Sequence, residues 1–459
     1  MELAAHEVSQ GVTIFFSIIL ILMVLSLALE EKIHAQKSII VSVFAVICLV
    51  IATALDLLPF GGITLSNGHQ ISIPVYIPAV DWGVIAIILG SSIFVDVTSR
   101  SGLFSWVAIK LTKASAGDPL KLLWYYGSLT VIFSALLNNV TAMIIVGSLT
   151  AVSLRKLGLG DKLLGFLLIE GLLTNIGGLM TLISSVPNII VGNAAKITFI
   201  EFFITASPYV MVATVVTIIM GAKIFSIRPL TDETEIVESH KLIEAFDEND
   251  GIESRGFFWF GTGMLLLFIL TIATTSILPV ARELGMGFVA LSFAVIMLVR
   301  YKSSVDQFYR SVDWDLLTFF ITLFVVINVM EHAMVLELIG KGISLVVGTD
   351  ESVFGTGALL VLAAGFSSVT DNIPLAAMLA KILGAGGTAP DSALWWSVVF
   401  GANLGGNLTP IGSASTLVAV TIMHKNEIKI SFAGFVKVAV PFAIVHIGLA
   451  LGYVLLFLY

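Results

Sequence analysis

Apolar runs of roughly 20 residues recur from one end of this chain to the other, each long enough to cross about 30 Å of hydrocarbon as a helix. In order they predict spans over 11–29, 38–58, 82–97, 163–193 and 205–225, then 257–278, 285–300, 315–331, 393–423 and 438–458. Two further apolar stretches carry polar residues at their centres. Leu122 to Val152 holds Asn138-Asn139-Val140-Thr141, and Phe354 to Leu383 holds Asp371-Asn372-Ile373-Pro374. Each reads as a re-entrant hairpin entering and leaving on one side, with residues 103–112 and 334–347 lying along the interface. The first run, Val12 to Leu29, has no basic region before it and no cleavage site after it, so it reads as a retained span rather than a signal peptide.

The polar interruptions come in matched pairs. Ser134-Ala135-Leu136-Leu137-Asn138-Asn139-Val140-Thr141, Thr174-Asn175-Ile176-Gly177-Gly178, Thr181, Ser184-Ser185 and Pro187-Asn188 form one copy. Ser367-Ser368-Val369-Thr370-Asp371-Asn372-Ile373-Pro374, Ala402-Asn403-Leu404-Gly405-Gly406, Thr409, Gly412-Ser413 and Ser415-Thr416 form the other. Asn139 falls on Asn372, Asn175 on Asn403, Thr181 on Thr409 and Ser185 on Ser413; Asp81-Trp82 at the head of the third span returns as Asp313-Trp314 at the head of the eighth. Inside a bilayer, interrupted backbone is tolerated only when buried in protein or lining a wet cavity. Paired interruptions in two halves of a chain point to a transporter's binding site. The predicted fold is therefore an all-α polytopic membrane protein of two inverted repeats, with about ten transmembrane helices plus two re-entrant hairpins and two broken helices. The first repeat is 1–225 (hairpin 122–152, broken helix 163–193), the linker 226–256, and the second repeat 257–459 (hairpin 354–383, broken helix 393–423).

Composition agrees: 58% of residues are hydrophobic and only 12% charged, against about 25% charged in soluble domains. The net charge of −8 argues against a nucleic-acid partner. Basic residues collect on cytoplasmic faces. With both termini outside, only Lys196, Arg282, Lys341 and Lys381 of the 23 fall at or near the outer face. The first hairpin then opens from the cytoplasm and the second from outside. The lone Cys48 reads as a packing residue, the acidic linker 226–256 as a solvated connector, and 59–81, with Pro59, Gly61-Gly62, Pro74 and Pro78, as an ordered turn structure at the outer face.

Two adjacent glycines in mid-span weaken a helix. Half-helix N-termini suit an anion, while freed carbonyls with Asn and Thr oxygens suit Na⁺ or a proton-carrying group. The candidate substrate and ion ligands are Asn138, Asn139, Thr141, Asn175, Gly177, Thr181, Ser185 and Asn188, with Asn372, Asn403, Gly405, Thr409, Ser413 and Thr416 in the second half. Asp371 is the foremost coupling carboxylate, because an Asp at membrane depth costs about 2.5–3.5 kcal/mol; capping the hairpin's second arm is a compatible role. For Glu170 a transport role and a structural hydrogen bond both stand. Asp56, Asp96 and Glu331 lie near span ends, which suits interfacial placement. The seven histidines show no metal-ligand spacing, and His446, alone within a span, reads as packed. With no Ser/His pair, paired-aspartate motif or phosphate loop, neither an intramembrane protease nor an ATP-driven pump is indicated, and no enzyme is expected.

These motifs resemble those of the arsenite permease, sodium–proton antiporter and melanosomal P-protein group of the ion transporter superfamily, which also holds citrate and dicarboxylate carriers. Val186-Pro187-Asn188 and Gly401-Ala402-Asn403-Leu404-Gly405-Gly406-Asn407-Leu408-Thr409-Pro410-Ile411-Gly412-Ser413 belong to the match. The resemblance implies a moving transport domain of hairpins and broken helices on a scaffold that often mediates homodimerisation. Related sequences have Asp where this chain has Asn138, and often Gly-Asp-Pro-Pro-Asn where it has Ser184-Ser185-Val186-Pro187-Asn188. Both departures remove a carboxylate, which leaves Asp371 and Glu170 as titrating candidates. The 409–413 run leans towards the arsenite permease branch. The expected function is secondary active transport of a small ion across the cell membrane, as efflux of an inorganic anion such as arsenite by elevator-like alternating access. The alternatives are Na⁺/H⁺ antiport, di- or tricarboxylate transport and a passive anion channel. No cofactor is expected beyond Na⁺ or H⁺ as coupling ion, and the partners are the small ion, membrane lipid and a second copy of the chain.

Overall fold

A computed structural model describes residues 8–58, 62–64, 68–348 and 352–459. The first half comprises α1 (Gln10–Ala28), α2 (Glu30–Ile33), α3 (Lys37–Ala54), α4 (Trp82–Ser99), α5 (Leu103–Ala114), α6 (Pro119–Leu136), α7 (Asn139–Lys156), α8 (Leu163–Gly177), α9 (Val186–Ala195) and α10 (Phe199–Ile224). Next come α11 (Glu233–Glu244), α12 (Arg255–Ala273), α13 (Pro279–Arg300), α14 (Val305–Ser311), α15 (Trp314–His332) and α16 (Val335–Val347). The chain ends with α17 (Val353–Ser367), α18 (Asn372–Ala385), α19 (Ala393–Gly405), α20 (Ala414–Lys425) and α21 (Phe432–Tyr453). Among the described residues, eight helices are long and apolar enough to cross a membrane: α1, α3, α4, α10, α12, α13, α15 and α21 with its continuation to Leu458. The other two expected spans are broken, α8/α9 over 178–185 and α19/α20 over 406–413. Between α3 and α4, β1 (Gly62–Thr64) pairs antiparallel with β2 (Gln70–Ser72); Pro59 and Gly61 of the expected turn structure lie outside the described residues.

Local chemistry places the helix starts. Asp81 Oδ1 accepts from Val84 N at 3.1 Å, and Trp82 Nε1 donates to Ile77 O at 3.0 Å. Asp313 Oδ1 accepts from Leu316 N at 2.9 Å, and Trp314 Nε1 donates to Tyr309 O at 3.1 Å. The repeated dipeptide thus builds one device twice: an N-cap and an indole tied back to the preceding turn.

Packing follows the same duplication. α3 lies on α15 as α13 lies on α4, α7 on α20 as α18 on α9, and α8 on α20 as α19 on α9. α10 packs on α6 and α8 as α21 packs on α17 and α19. Exchanging the halves reproduces the contacts, a pseudo-twofold relation. Apolar side chains such as Trp259, Val299 and Phe354 remain exposed; so much apolar surface suits lipid rather than water.

The linker departs from a purely solvated connector. Ile227, Ile243 and Phe246 are buried, Ser239 Oγ donates to Ala116 O at 3.2 Å, and the Lys156 ammonium lies 5.1 Å from the Phe246 ring centroid. Glu248 pairs with Lys113 and, at 3.0 Å, with Lys110. Hydrogen bonds from Lys113 and then Lys110 hold its carboxyl down at about 2. The apolar residues that anchor the linker are few within an acidic stretch, so composition masks them.

Candidate ion and substrate site

The breaks in α8/α9 and α19/α20 come together through their side chains. Asn175 Nδ2 donates to Ser413 Oγ at 2.9 Å and to Asn407 Oδ1 at 2.8 Å, while its Oδ1 accepts from Ser415 Oγ at 3.1 Å. In the mate cluster, Asn403 Oδ1 accepts from Ser185 Oγ at 2.7 Å, and Asn403 Nδ2 donates to Asn188 Oδ1 at 2.9 Å. Each asparagine therefore reaches the serine that starts the second half-helix of the other repeat. Ser413 also caps α20 by accepting from Thr416 N at 3.2 Å, and Thr416 Oγ1 donates to Ser413 O at 2.8 Å. Ser185 donates its hydroxyl proton to Asn403 and makes no side-chain cap on α9.

The hairpins are fixed to these breaks. Ser134 Oγ donates to Thr174 O at 2.6 Å and Ser367 Oγ to Ala402 O at 2.5 Å. Thr181 Oγ1 reaches Ala135 O at 2.7 Å and Thr409 Oγ1 reaches Ser368 O at 2.6 Å. Asn188 Nδ2 holds Gly178 O at 2.7 Å and Thr181 O at 2.9 Å. Gly177 and Gly405 serve close approach: a Cβ on Gly177 would lie 2.6 Å from Val131 O, and one on Gly405 would run into Ala364 O.

The hairpin tips differ. Asn138 is exposed and caps α7, its Oδ1 accepting from Thr141 N at 2.7 Å. Asn139 reaches inward, its Nδ2 donating to Asn175 Oδ1 at 3.4 Å. Asn372, its sequence mate, lines a cavity of about 890 Å³ instead. Leu27, Lys37, Asp315, Asp371 and Ser413 share that cavity's wall, so it leads to the Asn175 cluster. Asp371 plays two parts there. Oδ1 caps α18 by accepting from Ile373 N at 3.1 Å, and Oδ2 pairs with Lys37 Nζ at 2.7 Å. Glu170 is fully buried in α8; Oε1 accepts from Thr150 Oγ1 at 2.6 Å, and Oε2 has no partner among the described residues.

Asn407, Ser415, His446 and Lys37 enter the site although none is among the candidate ligands; Asn407 and Ser415 belong to the motifs, and His446 is expected only to pack. By the offset of the two halves Asn407 falls on Leu179 and Ser415 on Pro187, so neither has a polar mate. His446 Nε2 lies 2.7 Å from Thr217 Oγ1 and its Nδ1 3.4 Å from Asn407 Nδ2.

Residues 18–401 match the profile of a family described as citrate transporter. An uncharacterized transporter of Mycobacterium tuberculosis is 30% identical over 365 residues, covering 78% of this chain and 82% of that protein. The human P protein is 24% identical over 468 residues, covering 84% of this chain and 55% of its own length. Among solved structures, the YdaH transporter of Alcanivorax borkumensis superposes with a TM-score of 0.57 at 13% identity, over 92% of this chain and 98% of that one.

Proposed function

The chain belongs to the citrate transporter family, and from that premise we propose that it is a secondary active transporter moving a small, weakly charged oxyanion such as arsenite outward by alternating access. One observation carries the reading. The cross-repeat clusters beside the cavity are built from Asn175, Asn403, Asn407, Ser185 and Ser413, which offer many hydrogen bonds and no formal charge. Burying an ionised group without a partner is costly, so such a site favours a ligand of low charge over a tricarboxylate.

The pseudo-twofold packing supports two inverted repeats, 1–225 and 257–459, joined by 226–256. Hairpins and broken helices form the moving unit, α1, α3, α4, α12, α13 and α15 the scaffold, and both termini lie outside. Asp371 already has Lys37 as counter-ion, which makes Glu170, with its unpartnered oxygen, the proton-coupling carboxyl. A second reading, di- or tricarboxylate transport, draws on the family's description and on Lys32 and Lys37 in the cavity wall.

The test is flux through purified protein in proteoliposomes, with arsenite or citrate under imposed pH or Na⁺ gradients. Saturable arsenite counterflow driven by the pH gradient is expected. Citrate flux alone would replace the first reading by the second, and non-saturable leak without counterflow would make the protein a pore.

A further inference from the structure

The Asn175 cluster continues away from the cavity into a chain of buried groups that ends on α10. Thr217 Oγ1 lies 2.6 Å from Ala213 O, which takes its only proton. Towards His446 Nε2, at 2.7 Å, the Thr217 oxygen therefore accepts, so the imidazole proton sits on Nε2. Nδ1 is then bare and accepts from Asn407 Nδ2 at 3.4 Å. That fixes the Asn407 amide: its nitrogen also reaches Leu172 O at 3.3 Å, and its Oδ1 is left to accept from Asn175 Nδ2 at 2.8 Å. Asn175 in turn has Oδ1 free to accept from Ser415 and Asn139. Every donor in the line points the same way, and Thr217, His446, Asn407, Asn175 and Ser415 are all buried.

We infer that His446 is a positioning residue of the transport site: its ring fixes which end of the Asn407 amide faces Asn175, and so which atoms Asn175 presents to the solute. A proton on Nδ1 in place of Nε2 would set a donor against the Asn407 amino group. Asn407 would have to turn over, opposing two amino groups at Asn175, and the cluster would lose its direction. Only one half carries this limb. α10 and α21 each contain one proline, Pro208 and Pro441; counted from these, the mate of His446 is Ala213, as the mate of Asn407 is Leu179. The limb gives the two clusters of a pseudo-symmetric site unequal hydrogen-bonding character.

The inference rests on the reading that Asn175 belongs to the solute's site, so two measurements are needed. In the first, the full-length protein in lipid is labelled with [¹⁵N]histidine and the His446 signals are identified by their loss in His446→Gln. A neutral ring protonated at Nε2 is expected, with the Nδ1 resonance moved by Asn407→Ala. A ring protonated at Nδ1, a charged ring, or an Nδ1 resonance indifferent to Asn407→Ala would overturn the assignment. In the second, arsenite counterflow is measured. His446→Leu should raise the half-saturation concentration roughly tenfold and leave the maximal rate within about twofold, the scale of one lost buried hydrogen bond. His446→Asn, whose Oδ1 can accept where Nδ1 does, should recover most of the affinity. Unchanged affinity in the leucine variant, or equal loss in both variants, would overturn the positioning role. If the wild-type protein moves no arsenite, the proposed substrate falls, and the spectra alone decide the place of His446.

Discussion

Glu170 and Asp371 sit in opposite circumstances. Asp371 has a cation at 2.7 Å and half its acceptor capacity in a helix cap, whereas Glu170 has one hydroxyl donor and a buried oxygen with nothing to accept from. A carboxylate without a counter-charge in such a place relieves its desolvation by taking a proton, so Glu170 suits a group that is loaded and unloaded. Glu170→Gln keeps the shape and an oxygen for Thr150 while abolishing titration. Its midpoint of thermal unfolding should stay close to that of the wild type, pH-gradient-driven arsenite flux should disappear, and exchange at equal pH should persist. Gradient-driven flux at the wild-type rate in this variant would remove Glu170 from the coupling step. Sequence pattern brought out both carboxylates because charge is conspicuous in apolar runs; it could not rank them, since Lys37 is 334 positions from Asp371 and their pairing is a property of the fold.

At the scale of elements, the broken helices depend on glycine for approach more than for flexibility. Gly177 and Gly405 occupy equivalent places where a hairpin's first arm crosses the last turn of a half-helix, and each meets a backbone carbonyl that has nowhere to retreat. Gly405→Ala should therefore destabilise the protein by about 1–3 kcal/mol, the usual cost of overpacking. Gly384→Ala, in α18 with open space around the added carbon, should be neutral or stabilising by about 0.5–1 kcal/mol. Thermal unfolding in detergent compares them, and equal midpoints would contradict the close-approach role. Breaks, hairpins and spans were readable because bilayer crossing imposes long apolar runs, against which Asn-Ile-Gly-Gly and Asn-Leu-Gly-Gly stand out. The docking of α11 was not. It rests on Ile243, Phe246 and one ion-paired glutamate within a polar stretch, a signal no stronger than that of many loops.

For the molecule as a whole, departure from the twofold relation bears on the proposed alternating access. Ser38 of α3 bonds Asp315, two residues beyond Asp313, and a Cβ on Gly287 of α13 would lie 2.9 Å from the carbonyl of Gly83, two residues beyond Asp81. Lys37 thus corresponds to Met286, and Asp371 corresponds to Asn138. The ion pair between α3 and the tip of the second hairpin has an uncharged mate, so under the proposed alternating access this contact would favour one end of the cycle. Lys37 is 30% exposed and Asp371 15%, which gives the pair a partly dry setting without sealing it, compatible with the proposed cycle. The native Cys48 is buried, so a Cys48→Ala background leaves only introduced thiols to react. In that background, Lys37→Cys with Asp371→Cys should transport arsenite when reduced, stop once a short bifunctional reagent joins the thiols, and resume if the bridge is reductively cleaved. Either single variant treated alike should keep transporting. Undiminished counterflow in the bridged protein would mean that the second hairpin and α3 stay together throughout the cycle, and a sliding transport domain would have to be abandoned.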